Sequence, residues 1–214
     1  ADGLREMRQV QLALKNAGAK TNSSCGMHTH IGVEHLSNRQ KAMIIKTHSL
    51  FQAVFDTLCN PSRRNGRYSR HRSFSEAVRW ATHFNSGNTR YTGSRFHALN
   101  LDSYGKYGTF EMRAYQGCLN HAKASAWIQL NMDFMHWCGR LATASTHEFD
   151  HAFNSEQLLN VIADGSMPKT MMHLLSDLTV STNTRQRRYE ADSEAIQILQ
   201  EWCGEHGFIK NAKV

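Results

Sequence analysis

Residues 25–33 alternate in polarity with a period of two. Cys25, Met27, Thr29, Ile31 and Val33 point one way, and Gly26, His28, His30 and Gly32 point the other. A helix cannot hold that pattern on one face, so the segment is expected to be a strand with a mostly apolar core side and a histidine side flanked by glycines. Residues 108–115 repeat the pattern, with Thr109, Glu111, Arg113 and Tyr115 on one face and Phe110, Met112 and Ala114 on the other. Residues 94–101 alternate as well. The two later stretches therefore predict a β-hairpin with Asp102 to Tyr107 as its connection.

Between these strands the apolar period changes to that of a helix. Leu4, Met7, Val10 and Leu14 form a stripe on a first helix that Asp2 can cap and Gly18 can end. Ser37-Asn38-Arg39-Gln40 is a capping box, and the helix after it should run to about Leu58, burying Met43, Ile44, Leu50, Val54 and Leu58, before Asn60-Pro61 stops it. A short helix starts at Ser73 or Ser75 and reaches Phe84. A long one spans about Asn120 to Ala144, with Trp127, Met135 and Trp137 in its core face. Beyond it, Asn154 with Gln157 offers a second capping box, Pro168 opens a helix through Leu178, and a last helix covers about Asp192 to Glu205. The fold class this predicts is α+β: an antiparallel sheet packed with long helices, and a helical C-terminal third. Residues 1–145 read as the core of the domain and 146–214 as a helical extension packed on it.

Composition removes several alternatives. With 40% hydrophobic residues and only 2 prolines in 214, disorder is excluded. No segment approaches the roughly 18 consecutive apolar residues that cross a bilayer, and no signal peptide is visible, so no membrane association is expected. The 5 cysteines are odd in number and scattered without a Cys-x-x-Cys spacing, which fits buried apolar thiols in a reducing cytoplasmic setting better than a disulfide or zinc framework. A formal net charge of +7 favours an anionic partner without naming it.

The polar faces carry the chemistry. His28 and His30, two apart on a strand, have Cα atoms roughly 6.5–7 Å apart and project to the same side. Two such imidazoles can share a metal, or one can hold a metal while the other meets a phosphate. If the strands lie in one sheet with their polar faces aligned, Glu111 comes near His28. A histidine and a carboxylate then suit Mg²⁺ or Mn²⁺ completed by nucleotide phosphate and water, and Arg113 offers a fixed fork to a phosphate or carboxylate. Taken singly, each pair also describes an ordinary polar strand face.

The order of the motifs adds a resemblance. Thr21-Asn22-Ser23-Ser24-Cys25-Gly26-Met27-His28-Thr29-His30 resembles the Asn-Gly-Ser-Gly-Met-His-x-His segment of glutamine synthetases, and more closely the Cys-Gly-x-His-x-His segment of the amidoligase family. Arg95-Phe96-His97-Ala98-Leu99-Asn100-Leu101, followed by Gly108-Thr109-Phe110-Glu111-Met112-Arg113, is similar to that family's Arg-Tyr-x-x-Leu-Asn-Leu and Gly-Thr-x-Glu-x-Arg pattern. The resemblance covers residues 21 to about 140. It implies a partial glutamine-synthetase-like catalytic fold and an ATP-dependent carboxylate–amine ligase acting on small-molecule or peptide carboxylates and amines. It also implies roles: His28 and Glu111 as metal ligands, His30 as a contact to nucleotide phosphates, and Arg95 and Arg113 as stabilisers of the γ-phosphoryl group and acyl phosphate. Asn22 falls in the loop that meets the amino-acid substrate in glutamine synthetase. Asn100 is equally a site residue or a hairpin-positioning one. A homo-oligomer is a further expectation, because such sites lie near subunit interfaces.

The chain departs from the family in one respect. Members start with a strand bearing Glu-x-Glu, whereas the only acids before His28 are Asp2 and Glu6, in a predicted helix. The expectation is therefore a C-terminal two-thirds of the ligase: a fragment, a half completed by a missing N-terminal segment or partner chain, or an inactive relative. In the last case the chain is a structural or nucleic-acid-binding component of a larger assembly. The basic loop of Arg63, Arg64, Arg67, Arg70 and Arg72, with Tyr68 and Phe74 among them, is suited to a nucleotide, an acidic substrate or nucleic acid, or is a solvated basic loop. Arg185, Arg187 and Arg188 repeat that ambiguity. His147-Glu148-Phe149-Asp150-His151 has the residues and spacing of a His-Glu-x-x-His site, and reads as chance spacing. A metal-dependent hydrolase built on His28 and His30 alone is a third reading.

Overall fold

A computed structural model describes residues 2–56 and 58–144. In chain order they form α1 (Asp2–Asn16), β1 (Gly26–Gly32), α2 (Asn38–Asp56), a 3₁₀ turn at Pro61–Arg63, α3 (Phe74–Asn85), β2 (Leu99–Asn100), α4 (Asp102–Tyr107), β3 (Thr109–Gln116) and α5 (His121–Ala144). The strands make a three-stranded sheet in the order β1-β3-β2, and both pairings are antiparallel. The class is α+β, as the two periodicities require. The helices, arginines and histidines expected between 146 and 214 lie outside the described residues.

Local chemistry starts the helices where the sequence asks. The Ser37 N–H donates to Gln40 Oε1 (2.9 Å) and the Gln40 N–H to Ser37 Oγ (3.2 Å), closing the capping box. The Gln40 amide also donates to the Gly139 carbonyl at 3.3 Å, tying α2 to α5. Ser73 caps α3 by accepting from the Glu76 N–H, and Asn120 caps α5 by accepting from the Lys123 N–H. The helices then bury their apolar faces together. Phe55 and Phe134 meet edge to face at 5.1 Å, with Phe51, Trp127 and Trp137 around them. Each such ring is worth about 1.5–3 kcal/mol of burial.

Four details differ from expectation. First, α2 ends at Asp56, so Leu58 falls in the following turn and is 39% exposed instead of buried. Second, α1 is rotated relative to its expected stripe. Gln11 is buried, donating to the Cys118 carbonyl at 3.0 Å, while Val10 and Leu14 face outward. Third, the hairpin is asymmetric. β2 has two residues, and its connection to β3 is helical (α4), ended by Gly108 at φ 64°. That left-handed value favours glycine.

The fourth difference bears on the site. Met27 pairs with Tyr115 but Thr29 pairs with Met112, so β3 carries one extra residue opposite His28. This β-bulge shifts the alternation by one position. Glu111 and Arg113 stay on the outer face as expected. Tyr115 crosses to the core, where it stacks on Trp127 at 4.6 Å and an interplanar angle of 15°. The strict period of two had placed Tyr115 beside Arg113; aromatic burial won.

The described cysteines, Cys25, Cys59, Cys118 and Cys138, are all free. Cys59 and Cys138 are core residues, and burial pushes both thiols well up, so they behave as small hydrophobes. Among the described residues no helix is long and apolar enough to cross a membrane.

His48 is buried in α2 and stacked on Phe55 at 5.5 Å. Burial, then the nearby His71, Arg72 and His97, lowers its pKa from 6.5 to about 3, so it is neutral in the fold. Below pH 6.5 the unfolded chain takes up a proton that the folded chain refuses. Stability contributed by His48 is therefore present above pH 6.5 and lost as pH falls, by roughly 1.4 kcal/mol per unit. His48→Leu should flatten the stability–pH curve between about pH 6.5 and 5, read by denaturant unfolding. An unchanged slope would contradict this placement.

Candidate functional site

The outer face of the sheet converges on one carboxylate. Glu111 lies on the central strand and is only 5% exposed. From β2, Asn100 Nδ2 donates to Oε2 at 2.6 Å. From β1, His28 Nδ1 lies 2.8 Å from Oε1. From β3 itself, Arg113 Nη1 donates to Oε1 at 2.7 Å. His30, directly opposite Glu111 in the β1–β3 register, places Nε2 3.8 Å from the same oxygen, and its Nδ1 is 2.9 Å from Thr109 Oγ1. The sheet thus gathers His28, His30, Glu111 and Arg113, the four residues the alternation singled out. Asn100 thus fixes Glu111 from β2, and its Oδ1 accepts the Asp102 N–H at the start of α4.

Burial alone would raise the Glu111 pKa. The hydrogen bonds from His28, Asn100 and Arg113, with the Arg113 charge, more than offset it and hold the carboxyl at about 2. Glu111 is therefore a fixed anion with both oxygens engaged. The separation of 2.8 Å between His28 Nδ1 and Glu111 Oε1 also matches neighbouring donors around a small divalent cation, which lie about 3 Å apart for bonds of about 2.1 Å. The fit is partial. Among the described residues no three His, Cys, Asp or Glu side chains are arranged to hold a metal ion. Such an ion would have to share Oε1 with Arg113 and draw most of its shell from elsewhere. Asp2 and Glu6 lie on α1 and not on a strand beside β1.

Arg63 is a site residue that sequence reasoning did not separate from its basic neighbours. It is 6% exposed, and its Nη2 donates to the Arg113 carbonyl at 2.6 Å, beside the β3 bulge. Its guanidinium fills the space in front of Gly26, where a Cβ would come within 2.6 Å of Nη2. The glycines flanking the histidines thus differ from the expectation that both leave room for a ligand. Gly32 has open space, whereas Gly26 makes room for Arg63. Burial, together with the neighbouring Arg113, lowers the Arg63 pKa. No spacing rule marks this arginine, because its partner is a carbonyl created by the bulge.

The other expected residues are more peripheral. Arg95 is exposed and lies over the Phe96 ring at 5.1 Å, the ring that Arg113 also approaches at 6.0 Å. It thus joins the site through Phe96 and Arg113, without touching Glu111. Asn22 uses its side-chain oxygen in the turn entering β1, accepting the Ser24 N–H at 2.9 Å and its hydroxyl at 2.7 Å. The basic loop is less available than its sequence suggests. Arg72, like Arg63, is buried, bonded to Glu76, Tyr91 and the Leu99 carbonyl.

Two outcomes follow. Ionised Glu111 stabilises the fold above pH 4.5, and this contribution, on the order of 2–3 kcal/mol, is lost as pH falls toward 2. Glu111→Gln should remove that portion of the acid transition in unfolding titrations, and an unaltered transition would contradict it. Gly26→Ala should cost about 1.5–3 kcal/mol by displacing a charged hydrogen bond, while Gly32→Ala stays within about 0.5 kcal/mol. Equal melting temperatures for the two variants would contradict the Arg63 packing.

Residues 1–135, from α1 through most of α5, match the family model described as "putative amidoligase enzyme". No curated protein and no solved structure matches the chain. The match covers more than half of the sequence and includes both motif segments, and the chain belongs to the putative amidoligase family.

Proposed function

We propose that the chain is an ATP-dependent carboxylate–amine ligase whose phosphoryl-transfer site is the outer face of the sheet. One observation carries the reading: His28, His30 and Arg113 converge on a single oxygen of ionised Glu111, in a member of an amidoligase family. In the first step an oxygen of the substrate carboxylate attacks the γ-phosphorus of ATP and ADP leaves, giving an acyl phosphate. In the second the amine nitrogen attacks the acyl carbon, phosphate departs, and the nitrogen loses a proton to give the amide.

Charge in the first step spreads over the peripheral oxygens of the transferred group, so catalysis is largely positioning and electrostatics. Arg113 is suited to that task because Glu111 fixes its guanidinium while leaving donors for a phosphate. Arg95, on the shared Phe96 ring, adds a second cation. His30 offers a donor to the phosphates, and His28 with Glu111 would hold Mg²⁺ or Mn²⁺, which supplies charge neutralisation between nucleotide phosphates. The remaining donors to such an ion would come from the nucleotide and from water.

The test is Mg²⁺-dependent ADP release by the complete protein, with carboxylate and amine supplied. His28→Ala and Glu111→Ala should abolish it, and Arg113→Lys, which keeps charge but not the fork, should lower it by roughly 100-fold or more. Wild-type turnover in both alanine variants would overturn the assignment.

A further inference from the structure

Beside Arg113 the chain builds an aromatic pair clad in cations. Residues 70 and 96–98 are joined by a parallel bridge: the Arg70 N–H donates to the Phe96 carbonyl and the Ala98 N–H to the Arg70 carbonyl, both at 2.8 Å. This brings Tyr68 and Phe96 edge to face at 5.5 Å. Arg67 lies over Tyr68 at 5.5 Å, and Arg95 lies over Phe96 at 5.1 Å. Arg113 closes the cluster, with Nε donating to the Tyr68 carbonyl at 3.3 Å and Nη1 donating to Glu111. Among the described residues no carboxylate forms an ion pair with Arg67 or Arg95, although both are exposed.

A guanidinium resting on a ring is oriented by the ring's quadrupole while its N–H edge stays free. With no described carboxylate paired to Arg67, its exposed edge is open to an anionic ligand. A nucleobase stacking on Tyr68 or Phe96 would have to share the ring with the arginine that lies over it. An anionic group can bind the free edge of Arg67 without moving it from the Tyr68 ring. The cluster adjoins the carboxylate–phosphate face and is separate from the His28 side of Glu111.

We propose that Arg67, oriented by Tyr68 beside the phosphoryl-contacting pair Arg95 and Arg113, binds a second anionic group of the carboxylate substrate, so that the ligase selects acidic substrates carrying a carboxylate beyond the one that reacts. This rests on the ligase reading above and adds the substrate class to it. Arg67 is then a specificity determinant, and Tyr68 positions it.

The experiment titrates the full chain, without nucleotide and at fixed ionic strength, with glutarate and with butyrate, which is one carboxylate poorer. Binding is followed by NMR at the arginine Nε–H and aromatic ring signals. Glutarate should bind roughly tenfold more tightly than butyrate, as one additional charge-assisted contact allows. Arg67→Gln should bring glutarate down to the butyrate level, Tyr68→Phe should keep the preference, and Tyr68→Leu should weaken it. Equal binding of the two acids by the wild type, or an undiminished preference in Arg67→Gln, would overturn the proposal. So would ATP shifting the Tyr68 ring with an affinity lost in Tyr68→Leu, since that identifies a nucleobase platform. ATP affinity measured separately keeps the two readings apart: loss of the glutarate preference with ATP binding intact removes only the substrate class, and an intact preference with no ATP binding counts against the ligase.

Discussion

The carboxylate of Glu111 is the interaction on which the outer face depends. It is placed on the central strand, almost fully buried, and made affordable only by donors from all three strands. An ionised carboxylate in such a place would be strongly destabilising if one partner were lost and its charge left uncompensated. The arrangement therefore works in both directions. Glu111 needs His28, Asn100 and Arg113 to remain charged, and those side chains need Glu111 to stay in fixed rotamers. A preorganised cation is what phosphoryl transfer requires of a protein, since the donors then stand in place before charge develops.

The bulge in β3 reconciles this face with the core. Without the extra residue, Tyr115 would share the outer side with Arg113, and the inner side would lose the ring that stacks on Trp127. With it, the polar half of the strand stays outside while the aromatic end turns inward. Arg63 then braces the disturbed backbone from in front of Gly26. Core packing and site geometry are thus settled by the same irregularity, as is common where a strand serves both.

Much of this was legible in the sequence, for definite reasons. The strands were readable because a period of two separates His28 and His30 from Met27 and Thr29, and Glu111 from Phe110 and Met112. Helix starts were readable because Ser37 with Gln40 is a self-contained hydrogen-bond unit. What stayed hidden depends on contacts distant in the chain. The inward turn of Tyr115 is set by Trp127, the burial of Gln11 by the Cys118 carbonyl, and the role of Arg63 by a carbonyl 50 residues away. The helical character of 102–107 was missed because alternation on both sides suggested a simple turn, whereas Gly108 ends a helix there.

The proposed function makes His28 and Glu111 together the cation-binding edge of a nucleotide site. Crystals of the complete protein grown with Mn²⁺ and a non-hydrolysable ATP analogue, with an anomalous difference map at the manganese edge, test it most directly. The expected result is a manganese peak in coordination range of both His28 Nδ1 and Glu111 Oε1, with nucleotide phosphate on its far side and Arg113 reaching the terminal phosphate. Bound nucleotide with manganese elsewhere, and His28 still hydrogen-bonded to Glu111, would contradict it.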